Sequence, residues 1–329
     1  GIKITETASA TSTSIYLYGG IDSSNLVDSN TKLGTMGIFD TDTKSFKYVR
    51  PPEQASTPID YKVSHLSSFS IGGTEIHFFG GIDIGDVEST THIYYDTVGE
   101  TWVPENPLIF SVSKATSLTL SSTKGIVFDG TDASRKIRIY NGSSWIDTGN
   151  VITEGTFAGP VTEGESLGSV ASVLTSNSIM YTPGDDVGTF SNNFYEITFN
   201  TEHTDITNSA LLVTTPITPS LMGYGAGVKI EQTASVIFIG GKNSSTHLSE
   251  AVKITQGGTV SSLARIPMHP VSDMSFGHTG NSAYIFCGLR EVDSYVDNVL
   301  SYTSNGDYWT YEGKTLVKSS NGTATSVDA

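Results

Sequence analysis

A single cysteine, Cys287, is all the thiol chemistry in the chain, so an internal disulfide framework and a multi-cysteine metal site are both excluded. Basic residues are scarce too: 18 Lys and Arg stand against 34 Asp and Glu, a formal charge of -16 that offers a nucleic-acid backbone no basic stripe. No apolar run approaches the ~20 residues needed to cross a bilayer. No window sustains the 3.6-residue apolar period of an amphipathic helix, so almost no helix is expected. Charged side chains are only 16% of the chain, which is polar mainly through its Ser and Thr hydroxyls. That composition is commoner outside the cell than inside.

What the chain has is repetition. Short apolar runs end in glycine pairs or their replacements: IYLYGG (15–20), IHFFGG (76–81), GIVFDG (125–130), SIMYTPG (178–184), VIFIGG (236–241) and AYIFCG (283–288). Each is followed by a polar loop and a second β-rich run: GIFDT (37–41), HIYYDT (92–97), KIRIYNG (136–142), FYEITFN (194–200), AVKIT (251–255) and NVLSYTS (298–304). In four units a third run follows with an aromatic: Phe46, Trp102, Trp145 and Trp309 come seven, seven, five and seven residues after Phe39, Tyr95, Tyr140 and Tyr302. Another strand-like stretch precedes the glycine run, as in KVSHLSSFSI (62–71). Four short strands per unit, bounded by turn residues, therefore repeat six times. Ten of the eleven prolines fall between units, where a residue that cannot donate to a strand ladder belongs.

Units of about 50 residues with this grammar resemble kelch repeats. Six of them imply an all-β fold: a six-bladed β-propeller of the kelch and galactose-oxidase-like type, with four antiparallel strands per blade. The blades are expected near 1–50, 60–104, 111–148, 166–206, 221–263 and 272–313, with a C-terminal tail at 314–329. Either Ile2-Lys3-Ile4 or the tail from Thr315 onward could close the ring. The glycine pairs and the tryptophans read as scaffold, the first for a tight exit from a crowded strand and the second to fill space between blades.

Catalytic chemistry is thin. Galactose-oxidase-like members use copper held by histidines and tyrosines, with a cysteine bonded to one tyrosine. Cys287, though, occupies a glycine-pair position and reads as a small buried hydrophobe. The seven histidines form no HxH or HxxxH pair. His65 and His278, in first strands, could face one another across the channel. GYGAG (223–227) precedes a strand and not a helix, so it is no dinucleotide fingerprint. The expectation is a non-enzyme without cofactor or metal.

The loops remain. Those joining second and third strands carry Asp22, Asp83, Asp86, Glu88, Asp132, Asp185, Asp186 and Asp293, and should share one face with the crossings between blades. An acidic face suits a basic protein partner, self-assembly, or oxygen ligation of calcium. Asn141, Asn243 and Asn321 fit the N-glycosylation pattern. Of the two longest crossings expected, 147–168 and 201–222, the second holds an apolar segment, Ala210-Leu211-Leu212-Val213, which should pack on the core. The expected role is a binding or structural module, extracellular or at the cell surface. The alternative is a carbohydrate-binding or carbohydrate-active propeller, using a glycan site near Tyr16, Tyr18, Tyr224 or Tyr295.

Overall fold

Six antiparallel sheets of four strands stand around an axis, a six-bladed β-propeller as the repeats predict. The computed structural model describes residues 14–22, 34–49, 62–128, 136–151, 166–167, 170–182, 185–186, 189–190, 193–213, 224–229, 234–243, 246–267, 270–279, 282–286, 288–290, 296–315, 319–320 and 323–327. Among the described residues there is no helix.

Blade 2 shows the pattern, running outward from the axis as Ser67–Ile71, Glu75–Phe79, His92–Asp96 and Thr101–Pro104. Blade 3 is Thr116–Ser121, Lys124–Phe128, Lys136–Tyr140 and Trp145–Val151. Blade 4 is Val170–Thr175, Ser178–Thr182, Phe194–Phe199 and Ile206–Val213. Blade 5 is Ala226–Val228, Ser235–Ile239, Ala251–Thr255 and Val260–Ser262. Blade 6 is Ser275–Thr279, Ser282–Phe286, Asn298–Thr303 and Tyr308–Lys314. Blade 1 is composite: the C-terminal strand Thr323–Val327 lies innermost, followed by Ser14–Tyr18, Met36–Asp40 and Ser45–Val49.

The tail therefore closes the ring. Thr323–Val327 pairs antiparallel with Ser14–Tyr18 and neighbours the innermost strands of blades 2 and 6. Ile2-Lys3-Ile4 lies outside the described residues. Ala210–Val213, expected in a crossing, is the second half of blade 4's outer strand; Val213 is buried, and Leu211 and Leu212 pack against the clusters on the two sides of the blade.

The core lies between blades. Six hydrophobic clusters fill the six interfaces, because residues alternating along each strand face the preceding and following blade in turn. The aromatic spacing turns out to be hairpin register: Phe39–Phe46, Tyr95–Trp102, Tyr140–Trp145 and Tyr302–Trp309 are direct cross-strand partners. Their ring centroids are 4.9, 5.2, 5.4 and 5.2 Å apart. The second aromatic of each pair leans on the preceding blade: Trp102 on Tyr18, Trp145 on Phe79, Phe46 on Phe286, while Trp309 donates its indole N–H to Ala264 O.

Serine and threonine in the inner strands have a structural use. An inner strand offers one unpaired edge, which the next blade's hydroxyls satisfy. Ser117 Oγ accepts from Ser68 N and donates to Ser68 O, and Thr119 Oγ1 does the same at Ser70.

Candidate binding face

Glycine pairs build one face of the disc. The second glycine donates its N–H to a valine carbonyl entering the next blade: Gly20 to Val63 at 2.9 Å, Gly81 to Val112 at 2.7 Å and Gly241 to Val271 at 2.8 Å. The first glycine has φ of +70°, +66° and +60° at Gly19, Gly80 and Gly240. A Cβ there would meet the same carbonyl, at 2.6 Å for Gly19 and 2.8 Å for Gly240. The bond thus fixes each 2–3 loop beside the crossing into the following blade, and both emerge on this doublet face.

Those valines belong to a second repeat that the loop reading missed: Val63-Ser64-His65, Val112-Ser113-Lys114 and Val271-Ser272-Asp273. Its third residue is left-handed, with φ of 55°, 55° and 51°. Lys114 N donates to His65 O, and Asp273 N to Tyr224 O, so these backbones join from blade to blade around the channel mouth. Near Tyr224 and Asp273, Lys242 Nζ sits 3.9 Å above the Tyr224 ring and 3.8 Å from Asp273 Oδ2.

The acidic loop of blade 2 is ordered by its own carboxylates. Asp83 Oδ1 accepts from Gly85 N at 2.8 Å and Val87 N at 3.1 Å, closing an Asx turn. Glu88 accepts from Ser111 Oγ and Ser113 Oγ, at 3.1 and 3.2 Å, and so ties the loop to the blade 2 to 3 crossing. Leu108 N donates to Thr90 O, and the Leu108 side chain is buried. Between these anchors Ile84, Val87 and Ile109 stand 41, 60 and 76% exposed, with Asp86 exposed beside them. The structure thus brings Asp83, Asp86 and Glu88 together but spends Asp83 and Glu88 on holding the loop; aliphatic side chains occupy its tip.

The other acidic candidates divide. Asp22 lies in a short strand paired with Ser319–Ser320, and Asp185 and Asp186 lie in a small three-stranded patch with Ser166–Leu167 and Thr189–Phe190. Asp132, Asp293, Asn321, Tyr295 and Cys287 lie outside the described residues. Asn141 Oδ1 accepts from Ser143 N and Ser144 N, so its side chain shapes the blade 3 outer turn, whereas Asn243 lies on the doublet face opposite Thr246. Tyr16 and Tyr18 are buried, and burial pushes the Tyr16 hydroxyl up to about 12. Among the described residues no three potential metal ligands converge.

Histidines meet where no sequence motif marked them. His65 precedes blade 2's inner strand at the doublet end, bonded to Ser64 Oγ, while His278 lies near the far end of blade 6's, so those two stay apart. His77 and His92 instead are buried diagonal neighbours, because Phe79 is the cross-strand partner of His92 and His77 shares its face. His77 Nδ1 and His92 Nε2 are 2.9 Å apart. Trp145 Nε1 lies 3.3 Å from His92 Nδ1, and His77 Nε2 3.4 Å from Glu75 Oε2. Indole only donates and a carboxylate only accepts, so the protons run one way: Trp145 to His92 to His77 to Glu75, with both imidazoles neutral. Burial holds His77 well below the usual histidine range, the neighbouring His92 adding to the effect, and burial lowers His92 to about 3. A register argument would have found the pair; local spacing could not.

No family model matches the chain. No curated protein matches it either. Its architecture is carried by its own repeats and by the sheets they form.

Proposed function

We propose that the protein is a non-enzymatic binding module of the kelch-repeat type, extracellular or at the cell surface, that presents the doublet-face loops of blades 2 and 3 to a protein partner. One observation carries the reading: Ile84, Val87 and Ile109 are exposed together on two segments that Asp83, Glu88, Ser111 and Ser113 hold rigid. Loops fixed in advance lose little entropy on docking, and aliphatic side chains held in water suit a partner that covers them. Asp86 beside them and the chain's charge of -16 favour a partner segment that pairs an apolar side chain with Lys or Arg.

Site-specific photo-crosslinking tests this. A crosslinker at position 87 or 109 should capture one common partner from native extract, and a Lys/Leu-rich peptide should displace it. A crosslinker at Val98, 77% exposed on the opposite face, should not. Capture from position 98 as strong as from 87 and 109 overturns the reading.

A carbohydrate ligand is the second reading. Tyr48, Tyr308 and Tyr311 favour it, exposed on the outer strands of the adjacent blades 1 and 6. Buried Tyr16 and Tyr18 do not. Sugar-dependent quenching of tyrosine fluorescence that is lost in Tyr308→Ala would support it.

A further inference from the structure

The Glu75–His77–His92–Trp145 relay ends beneath the docking loop. Glu75 opens its strand at the end away from the doublet, with its side chain 39% exposed, while His92 opens the next strand at the doublet end. There the blade 2 to 3 crossing lies on His92: Glu105 N donates to His92 O at 2.9 Å, and the Asn106 backbone meets the His92 ring. Phe110, next to exposed Ile109, packs edge-on against Trp145 at 5.6 Å. The crossing that displays Ile109 thus rests on the two rings that the relay joins across blades 2 and 3.

The relay is full. Each of its three hydrogen bonds has one donor and one acceptor, and each neutral imidazole uses both nitrogens. A proton added to His92 makes Nδ1 a donor facing the Trp145 N–H. A proton added to His77 makes Nδ1 a donor facing His92 Nε2–H. Either way two donors stand head to head and one bond of the relay must give way, the Asn106 backbone carbonyl at the His92 ring being the acceptor to which a proton on His92 can turn. Phe69, Phe79, Tyr94 and Tyr140 enclose the imidazoles. Glu75, Asp96 and Glu105 supply the carboxylates around them, and the cations near the crossing include Lys114, directly after it, and Arg138, stacked on Phe110 at 3.9 Å.

We propose that the relay makes the docking surface acid-releasable: protonating His92 or His77 breaks a bond of the relay, at His92–Trp145 or at His77–His92, and loosens crossing 105–113 while the rest of the propeller stays folded. This rests on the assignment of the docking face. It differs from general acid lability in being local, with its centre at one of six blade interfaces.

Hydrogen exchange on the protein alone, from pH 7 to pH 4 and corrected for intrinsic rates, tests it without any partner. Amides of 105–113 and the Trp145 indole N–H should open about tenfold more for each pH unit below ~6.5 per histidine titrated. Far-UV circular dichroism should stay unchanged, and the amides of blade 5 should open far less with acid than those of 105–113. In His77→Phe/His92→Phe the dependence should vanish. If that double variant does not fold, Trp145→Phe decides: it keeps a ring in place and removes the indole donor, so acid opening of 105–113 should shrink at least threefold. Unchanged protection of 105–113 down to pH 4, or acid opening identical in the variants, overturns the proposal. A failed crosslink at 87 and 109 with acid opening intact would overturn only the docking assignment.

Discussion

The N–H of Gly81 donates to the carbonyl of Val112 across the gap between blades 2 and 3, and Gly80 beside it leaves that carbonyl room. Gly80 has φ of +66°, where an L side chain is already strained, and an added Cβ would collide with Val112 O. Gly80→Ala should therefore lower stability by more than about 2 kcal/mol, strain and clash together. Gly73→Ala is the control: φ is +72° but no described residue lies within 4 Å of the added Cβ. Its cost should stay near the ~1 kcal/mol of left-handed strain alone. Urea midpoints of the two variants check the difference.

Trp102 fills the interface of blades 1 and 2, with its ring 5.4 Å from Tyr18 and 5.9 Å from Phe78. Trp102→Ala should cost roughly 3 to 5 kcal/mol, the scale for emptying a buried large aromatic. Its indole nitrogen has no hydrogen-bond partner among the described residues, unlike that of Trp309. Trp102→Phe should therefore cost less than Trp309→Phe, which strands the Ala264 carbonyl. Thermal unfolding of the three variants reads this directly.

The legible parts of the sequence were those written within one blade. Tyr95 and Trp102 are seven residues apart because a hairpin turn separates direct partners, and glycine pairs mark a turn that recurs at the same place. Contacts between elements distant in sequence left no such mark. His77 and His92 meet only once strand register is known, and their relay needs Trp145 from the next blade. In the acidic loop, composition named the right residues and misjudged their work: Asp83 and Glu88 hold the backbone, and aliphatic neighbours face solvent. Two short β-prone termini looked alike as ring closers, since pairing with Ser14–Tyr18 depends on where the chain ends meet in space.

Closure by the C-terminus makes blade 1 the dependent blade. Truncation after Lys314 removes the strand that pairs with Ser14–Tyr18 and adjoins the innermost strands of blades 2 and 6. The exposed edge of Ser14–Tyr18 would then seek another strand. The truncated chain should unfold at lower urea and elute as higher oligomers in size-exclusion chromatography. A synthetic peptide of residues 315–329, added in excess, should restore the elution volume of the full chain. A truncated chain that elutes like the full chain and is equally stable would assign the strand no closing role.

Acid should weaken the whole fold as well as one interface, and the sign follows from the buried imidazoles. His92 titrates at about 3 in the fold against about 6.5 when unfolded, so between those values the unfolded chain binds the extra proton. Stability is then complete above pH ~6.5 and falls as pH drops toward 3. At pH 5 the loss from His92 alone is about 2 kcal/mol, 1.5 pKa units at 1.36 kcal/mol each. His77 is lowered in the same direction, and the two act as a coupled pair whose effects do not simply add. Glu75 opposes them: burial raises its carboxyl, so as pH falls the folded chain binds a proton there before the unfolded chain does. Urea unfolding at pH 7.5, 6, 5 and 4 should show a declining midpoint in the parent chain. In His77→Phe/His92→Phe the slope between pH 6.5 and 5 should flatten, because the two imidazoles that take up protons on unfolding in that window are gone.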